Sequence, residues 1–458
     1  MKRDIESYFN LWKESVNRKP LIVRGARQVG KTFSIEAFGR KNFKHFLPLN
    51  PEQDNNLKTI FQSKNPTLIV SELTALYNIP IVEGKTLLFI DEIQFMPEAI
   101  AVLRYFYEQM PGLHIIAAGS LLDHTLNELS YSMPVGRIEF AYMYPLSFRE
   151  FLVANNQKGL VDYMNNFELH QLFSKAIHQK LLEFLRLYFF IGGMPEAVKV
   201  YLESKNLTEI EKVHTAILTS FQYDFAKYGS RKQQEYLKDS LQYVSKNIGK
   251  KVKFSAINRN VHSLYIKDAL LKLELSRIVH LVRKTKSSKV PINQNVDNNV
   301  FKPIFLDIGL VCSVSRIKLI DIRNLITDFE GALAEQFVGQ ELLTSFNYYE
   351  DAKLFYWVRE AKNTNAEIDF LHQINNKIYP VKVKAGKTGT LKSLHVYLAE
   401  KKENTGIRFN TDLPSIGKNL QTVINLNGGK QHLNYNLISL PLYFSALINN
   451  FDINNLTG

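Results

Sequence analysis

Eight consecutive residues, Gly25-Ala26-Arg27-Gln28-Val29-Gly30-Lys31-Thr32, follow the spacing GxxxxGK[ST], and their types suit one task, the holding of a phosphate chain. Gly25 and Gly30 admit backbone conformations closed to residues with a Cβ, so that successive N–H groups can turn inward around an anion. Lys31 would neutralise charge on the β- and γ-phosphates, and the Thr32 hydroxyl would be a ligand to Mg²⁺. Farther on, the apolar run Thr86 to Ile90 ends in Asp91-Glu92. Asp91 would hold the Mg²⁺ through its water shell, and Glu92 would orient or deprotonate an attacking water. Ser120 ends another apolar run and could sense the γ-phosphate or that water. Arg137, after Pro134-Val135-Gly136, could stabilise phosphoryl charge. Each has a plainer account: a Gly-containing turn, acidic caps on a helix, a Gly-Ser loop opening, a surface arginine.

The elements around these residues are those the chemistry needs. Pro20-Leu21-Ile22-Val23 reads as a strand feeding the loop, and Phe33 to Phe38 continues from it at helical spacing. A helix starting near Gly30 would turn the positive end of its dipole to the phosphates. An amphipathic helix from Asp4 to Trp12 comes first. Asn42 to Leu49 reads as a second strand, Thr67 to Tyr77 as a helix, Thr86 to Ile90 and Leu113 to Ser120 as strands. Continuous apolar strands of this kind belong in a parallel sheet, where ligands gather at the carboxyl ends.

The chain has 458 residues, 45% of them hydrophobic and 22% charged, an ordinary globular composition too long for one core. The N-terminus lacks the pattern of a secretory signal, and the most apolar stretch, 181–198, is interrupted by Glu183, Arg186, Gly192, Gly193 and Pro195. With one cysteine, Cys312, a cytoplasmic protein with no membrane partner is expected. The formal charge of +13 is concentrated: residues 227–302 carry 17 Lys and Arg against five Asp and Glu. Such a block is a solvated surface or an electrostatic footprint for nucleic acid, with DNA the expected partner.

Gln171 to Tyr188 is helical by period, and the Gly192-Gly193-Met194-Pro195 turn breaks it. That turn could bring Pro195 to an adenine, or serve as a plain inter-helix turn. Helices at 234–248 and 261–273, a strand at 277–282, a polar loop with Lys284, Lys286 and Lys289, and a strand at 302–306 describe a winged helix-turn-helix. Its basic loop would be the wing. Past Cys312, a helix at 330–346 carries Glu335 and Glu341, followed by strands at 354–358, 366–372 and 377–384. Glu367 and Asp369 share one strand face, Lys382 and Lys384 one face of the next. These groups outline either a metal-dependent phosphodiesterase site or a salt-bridged surface.

Arg24 to Thr32, Leu88 to Gln94, Gly136-Arg137, Pro145 to Phe151 and Gly192 to Glu196 resemble the prokaryotic AAA-family ATPases that carry a C-terminal DUF4143 domain. Asp224 to Lys227, Leu306 to Leu310, Glu335 to Val338 and Pro380 to Lys384 resemble that second domain. The resemblance implies an α/β chain: a parallel-sheet P-loop ATPase core at 1–158, a helical lid at 159–222, a basic winged-helix-like domain at 223–310, and a restriction-endonuclease-like domain at 311–458. It implies ATP and Mg²⁺ as cofactors, carries the loop role onto Lys31 and Thr32, the metal and water roles onto Asp91 and Glu92, and the sensor role onto Ser120. A nuclease-like pattern falls on Glu335, Asp369, Lys382 and Lys384. The pattern wants a carboxylate at position 382, where this chain has Lys382. An ammonium there repels the metal, so the domain is expected not to cut DNA unless Glu367 substitutes. A DNA-binding protein with ATP as a switch ligand, and an ATP-dependent nuclease, are the alternatives. A homo-oligomer or a protein partner is compatible with either.

Overall fold

The computed structural model describes residues 1–120, 122, 136–227, 230–317, 330–360, 366–384, 391–426 and 429–453. It divides into two compact units. The first consists of Met1–Leu146 with two short returns of the later chain, Leu275–Ile278 and Asn347–Asp351. The second holds Ser147–Glu274, Val279–Phe346 and Ala352–Gly458.

In the first unit β1 (Leu21–Arg24), β2 (His45–Leu49), β3 (Thr86–Ile90), β4 (His114–Gly119) and β5 (Glu139–Tyr142) form a parallel sheet in the order β2-β3-β4-β1-β5. Every residue of β3 and β4 is buried, which is why these strands read as unbroken apolar runs. The helices are α1 (Ile5–Glu14), α2 (Lys31–Asn42), α3 (Asn56–Gln62), α4 (Pro66–Tyr77) and α5 (Pro97–Gln109). Helix α4 starts where it does because the Asn65 side chain accepts from the Thr67 and Leu68 amides and Pro66 occupies the first turn. Leu88, Ile90, Leu103, Phe106 and Ile115 share one core with Phe61 and Leu73 from α3 and α4. Register aligns Arg24 with Gly119 on one side and Tyr142 on the other, so the loops after β1 and β4 open on one edge of the sheet.

Strand β5 ends the sheet, and the later chain completes it. The Tyr142 amide donates to the Tyr348 carbonyl at 2.8 Å, and the Tyr8 ring on α1 lies 6.0 Å from that of Tyr348. The Arg277 guanidinium stands 4.6 Å above the Tyr142 ring and pairs with Asp351 at 3.0 Å.

The second unit opens with helices at Phe148–Ala154, Lys158–Asn165, Lys175–Ile191, Pro195–Ser204 and Leu207–Asp224, followed by Arg231–Lys246, Phe254–Ile257 and a helix over 263–274 that runs one residue farther, to Leu275. Its sheet has eight strands: β6 (Val279–Thr285), β7 (Val296–Phe305), β8 (Phe355–Val358), β9 (Glu367–Ile374), β10 (Lys377–Val383), β11 (Thr405–Asn410), β12 (Ser415–Leu426) and β13 (Gly429–Pro441). The order is β12-β13-β11-β10-β9-β8-β6-β7, with both parallel and antiparallel pairs. The two strands expected around a wing do pair, as β6 and β7. They are longer than their apolar runs, and β6 also pairs with β8 in parallel. Residues 279–305 and 355–441 therefore share one sheet, and a boundary near residue 310 falls inside it. Trp357 on β8 packs edge-on against Tyr397 of the helix Lys392–Lys401, within a core that includes Ile368, Leu394 and Leu398.

Candidate functional site

The loop between β1 and α2 is built by close approach. A Cβ on Gly25 would lie 2.3 Å from the Met143 carbonyl oxygen, so no other residue fits there without moving β5's exit. Gln28 and Gly30 both take left-handed conformations, with φ of 64° and 91°, and Lys31 begins the helix immediately after. Ala26 and Val29 are buried beneath the loop and anchor it.

Lys31 is 7% exposed and donates to its own loop, to the Gly25 carbonyl at 3.0 Å and the Ala26 carbonyl at 2.8 Å. Burial lowers its pKa to about 8. Glu92 and Asp91 pull it back, while Arg27 and Arg277 add to the fall. Carbonyl dipoles thus hold an ammonium that the surroundings would rather discharge. Thr32 Oγ1 donates to Asp91 Oδ2 at 2.8 Å, and the Glu92 amide donates to Asp91 Oδ1 at 3.0 Å. Burial raises the Asp91 carboxyl above the usual range, and the Thr32 hydrogen bond opposes it. Residues 31, 32, 91 and 92 are therefore brought together as the sequence predicts.

Glu92 takes a left-handed turn, φ 48°, as the chain leaves β3. Its Oε2 accepts from Ser120 Oγ at 3.4 Å and from the Gln94 amide. Ser120 joins the same carboxylate at the end of β4. Gln94 is the residue sequence reasoning missed. The available signal is Gly119, where a Cβ would stand 2.4 Å from Gln94 Oε1, so the glycine makes room for the amide. That Oε1 is buried with no partner among the described residues. A carboxylate, a hydroxyl and an amide oxygen beside the Thr32–Asp91 pair form an oxygen-rich donor set that fits a hydrated Mg²⁺ and a lytic water.

Arg137 lies elsewhere. It precedes β5, whose first residue Glu139 stands beside Leu21 at the start of β1, whereas the phosphate loop follows Arg24 at the other end. Its Nε donates to Glu108 at 3.0 Å, and its guanidinium lies 5.8 Å from the Tyr107 ring. In a parallel pair those ends are opposite edges, so Arg137 is not brought to the loop with Lys31, Thr32, Asp91 and Glu92. Pro134 and Val135, which precede it in the same loop, lie outside the described residues. Arg277, like Arg27 of the loop itself, is close enough to act on Lys31; it lies beside Arg24, and the Arg24 guanidinium donates to the Tyr142 hydroxyl at 3.3 Å.

Pro195 occupies the first turn of the helix Pro195–Ser204 in the second unit. The glycines before it seat Asp307: the Gly193 amide donates to Asp307 Oδ2 at 2.6 Å, and a Cβ on Gly192 would overlap Asp307 Oδ1. Burial pushes the Asp307 carboxyl up to about 6 against three backbone hydrogen bonds, from Gly193, Leu310 and Gly309. The turn is accounted for as a carboxylate seat.

Around the C-terminal sheet, Glu335, Glu367 and Asp369 bring carboxylate oxygens within 4.8 Å of one another. Lys382 Nζ donates to Asp369 Oδ1 at 2.6 Å, and the Val383 amide to Oδ2 at 2.7 Å. Lys384 lies just past β10 and its amide donates to the Phe409 carbonyl at 2.8 Å. The residue not foreseen is Lys302 on β7. It is fully buried, donates to Glu335, and donates to Glu367 Oε1 at 3.0 Å.

The basic block is also rearranged. Lys284, expected on an exposed wing, is 5% exposed and forms an ion pair with Glu360, which Lys286 shares at 3.0 Å. Lys286 and Lys289 are exposed as expected, and Arg231, Lys232, Lys238, Lys246, Lys250, Lys251, Lys253 and Arg259 are exposed with them. No helix among the described residues is long and apolar enough to cross a membrane.

An AAA domain matches residues 17–152, a domain of unknown function (DUF8612) residues 182–321, and another (DUF4143) residues 330–442. No curated protein matches the chain. Similar solved structures include a Walker-type ATPase of Pyrococcus abyssi, 15% identical with a TM-score of 0.44, covering 69% of this chain and 95% of that one. The ORC2 protein of Aeropyrum pernix in ADPNP–ADP complexes is 12% identical with a TM-score of 0.33, covering 71% and 96%. The ORC1 protein of the same organism in complex with DNA is 10% identical with a TM-score of 0.30, covering 70% and 94%. The chain thus joins an AAA P-loop domain to a C-terminal DUF4143 domain, the pairing that its motifs resemble.

Proposed function

We propose that this chain binds ATP with Mg²⁺ in the loop after β1 and hydrolyses it. The observation that carries the reading is the state of Lys31: a buried ammonium, its pKa depressed to about 8, held on the carbonyls of Gly25 and Ala26 with the Thr32–Asp91 pair beside it. On binding, Lys31 exchanges those carbonyls for phosphate oxygens. Thr32 and Asp91 would hold the Mg²⁺, which would supply charge neutralisation and orientation of the phosphates. Glu92, positioned by Ser120 and Gln94, accepts the proton of the attacking water. Loop amides after Gly25 and the start of α2 stabilise the charge. The test is ATP turnover by the full chain: Lys31→Ala should abolish it, and a wild type that neither binds nor hydrolyses ATP overturns the reading.

The exposed cations at 231–259 favour DNA as a partner of the same machine, with ATP either turned over or acting as a switch ligand. Affinity should then fall steeply with salt, and neutralising Lys250, Lys251 and Lys253 should weaken it. Binding that ignores salt counts against this. The C-terminal sheet is read as nuclease-like without cleavage, on the strength of Lys382 bonded to Asp369. Plasmid nicking that requires Mg²⁺ and is lost in Asp369→Ala overturns that part.

A further inference from the structure

A divalent metal is what a nuclease-like fold implies among Glu335, Glu367 and Asp369, and the residues present do not fit it. Three carboxylates converge, but two ammoniums already stand among them. Lys382 takes Asp369, and Lys302 takes Glu335 and Glu367 together. Lys302 is held by more than its partners. It is flanked on β7 by the buried Phe301 and Pro303, its strand is registered by Val282 of β6, and its Nζ lies 4.9 Å from the Tyr356 ring and 5.9 Å from that of Phe370. Aromatic faces and carboxylates surround the ammonium, which is fully buried. A dication entering the cluster would meet two positive charges at contact distance, one of them, on Lys302, fully buried, where such repulsion is strong.

We propose that the Lys302 ammonium is the resident cation of the C-terminal sheet, tethered to the chain where a dissociable metal would otherwise sit. It ties β7 to β9 and to the helix Glu330–Thr344 through two hydrogen bonds. The cluster is then an ionic staple that no chelator can strip. This rests on the reading of the site as nuclease-like without cleavage, and extends it by naming the group that fills the metal position.

The test uses the full chain without nucleotide, in an Asp91→Asn background that removes the metal carboxylate of the first unit, titrated with Mn²⁺ and read by electron paramagnetic resonance. The Lys302-intact protein should bind no Mn²⁺ that depends on Asp369. Because Lys382 holds Asp369, the titration is repeated with Lys382→Met: with Lys302 kept no ion should bind, whereas adding Lys302→Met should gain one Mn²⁺ ion, about tenfold tighter or better than any background binding, and lose it when Asp369→Asn is added. Lys302→Gln is the second variant, keeping a hydrogen-bond donor without charge, should the methionine not fold. Asp369-dependent Mn²⁺ binding with Lys302 in place overturns the proposal, as does a folded variant lacking both lysines that gains no ion. If neither variant folds, the Lys302-intact titration alone decides. Nicking by the wild type would overturn the underlying reading instead, so the two failures are distinguishable.

Discussion

Lys31 and Lys302, both buried, keep opposite company. Lys31 faces backbone carbonyls, and its pKa is lowered to about 8 because burial outweighs the nearby acids. Lys302 faces carboxylates: burial works against its charge, but Glu335, Glu367 and Asp369 outweigh it and hold the pKa above the ordinary value. Glu335 is itself raised by burial, with Lys302 opposing that rise. Carbonyl oxygens solvate an ammonium without cancelling its charge, so Lys31 is left wanting an anion and marks a ligand site. Lys302 already has its anions and marks a structural one. A buried cation is informative about function only once its acceptors are known.

The contrast can be broken in several places. The largest effect should come from Lys31→Met, which removes the ammonium that meets the phosphates. ATP turnover should vanish while thermal stability holds or rises, since a poorly solvated charge has been taken out of the interior. A loss of fold would show that Lys31 is as structural as Lys302. Glu92→Gln should lower turnover by about 10²–10⁴ with ATP affinity nearly kept, as for removal of a general base; single-turnover kinetics with a binding titration separates the two. Lys302→Met should have the opposite profile to Lys31→Met. Leaving the mostly buried Glu335 without its cation should cost up to about 3–5 kcal/mol in urea unfolding, with little change in turnover per folded molecule.

The titration of Lys31 sharpens the same contrast. Phosphates restore its ammonium, so above pH 8 binding must take up a proton. ATP affinity should therefore fall as pH rises from about 8 towards the ordinary lysine value of 10.5, by up to about tenfold per unit. Lys31→Arg, charged throughout, should flatten the profile. A smaller effect concerns Glu341, buried with its carboxyl pushed up to about 8 and accepting from the Phe148 amide at 3.1 Å. Between pH 4.5 and 8 the folded state keeps a proton the unfolded chain has released, so stability is lost as pH rises through that window. Glu341→Gln keeps the acceptor and has no proton to lose. Its melting temperature should exceed that of the wild type at pH 8, by roughly 1 kcal/mol or more in stability, and match it near pH 4.5.

What could be read in advance follows from distance along the chain. The phosphate loop is local: eight residues, their strand and their helix specify it, and the Asp91-Glu92 strand end needs only parallel pairing to meet it. Arg137 was placed by type and proximity in sequence, and the direction of β5 sends it to the far edge. Lys284 looked like a wing cation because alternation along β6 cannot say that Glu360 will cover it. Lys302 was counted with a basic block. Its meaning depends on partners 33 and 65 residues away, brought together by a helix and a sheet order that no local pattern encodes. Gln94 was within a recognised run but had no assigned task, since its partner Gly119 is an absence of side chain.

The returns of 275–278 and 347–351 to the first unit bear on how this gene can be taken apart. The AAA match ends at residue 152, yet Tyr142 donates to Tyr348, and Arg277 with Asp351 covers the Tyr142 ring. The AAA domain is thus not a cassette. A fragment cut at residue 152 would expose the last strand of its sheet with an unclaimed amide, an invitation to edge-to-edge association. Swapping the C-terminal half between relatives would have to preserve two short tracts that belong, physically, to the other half.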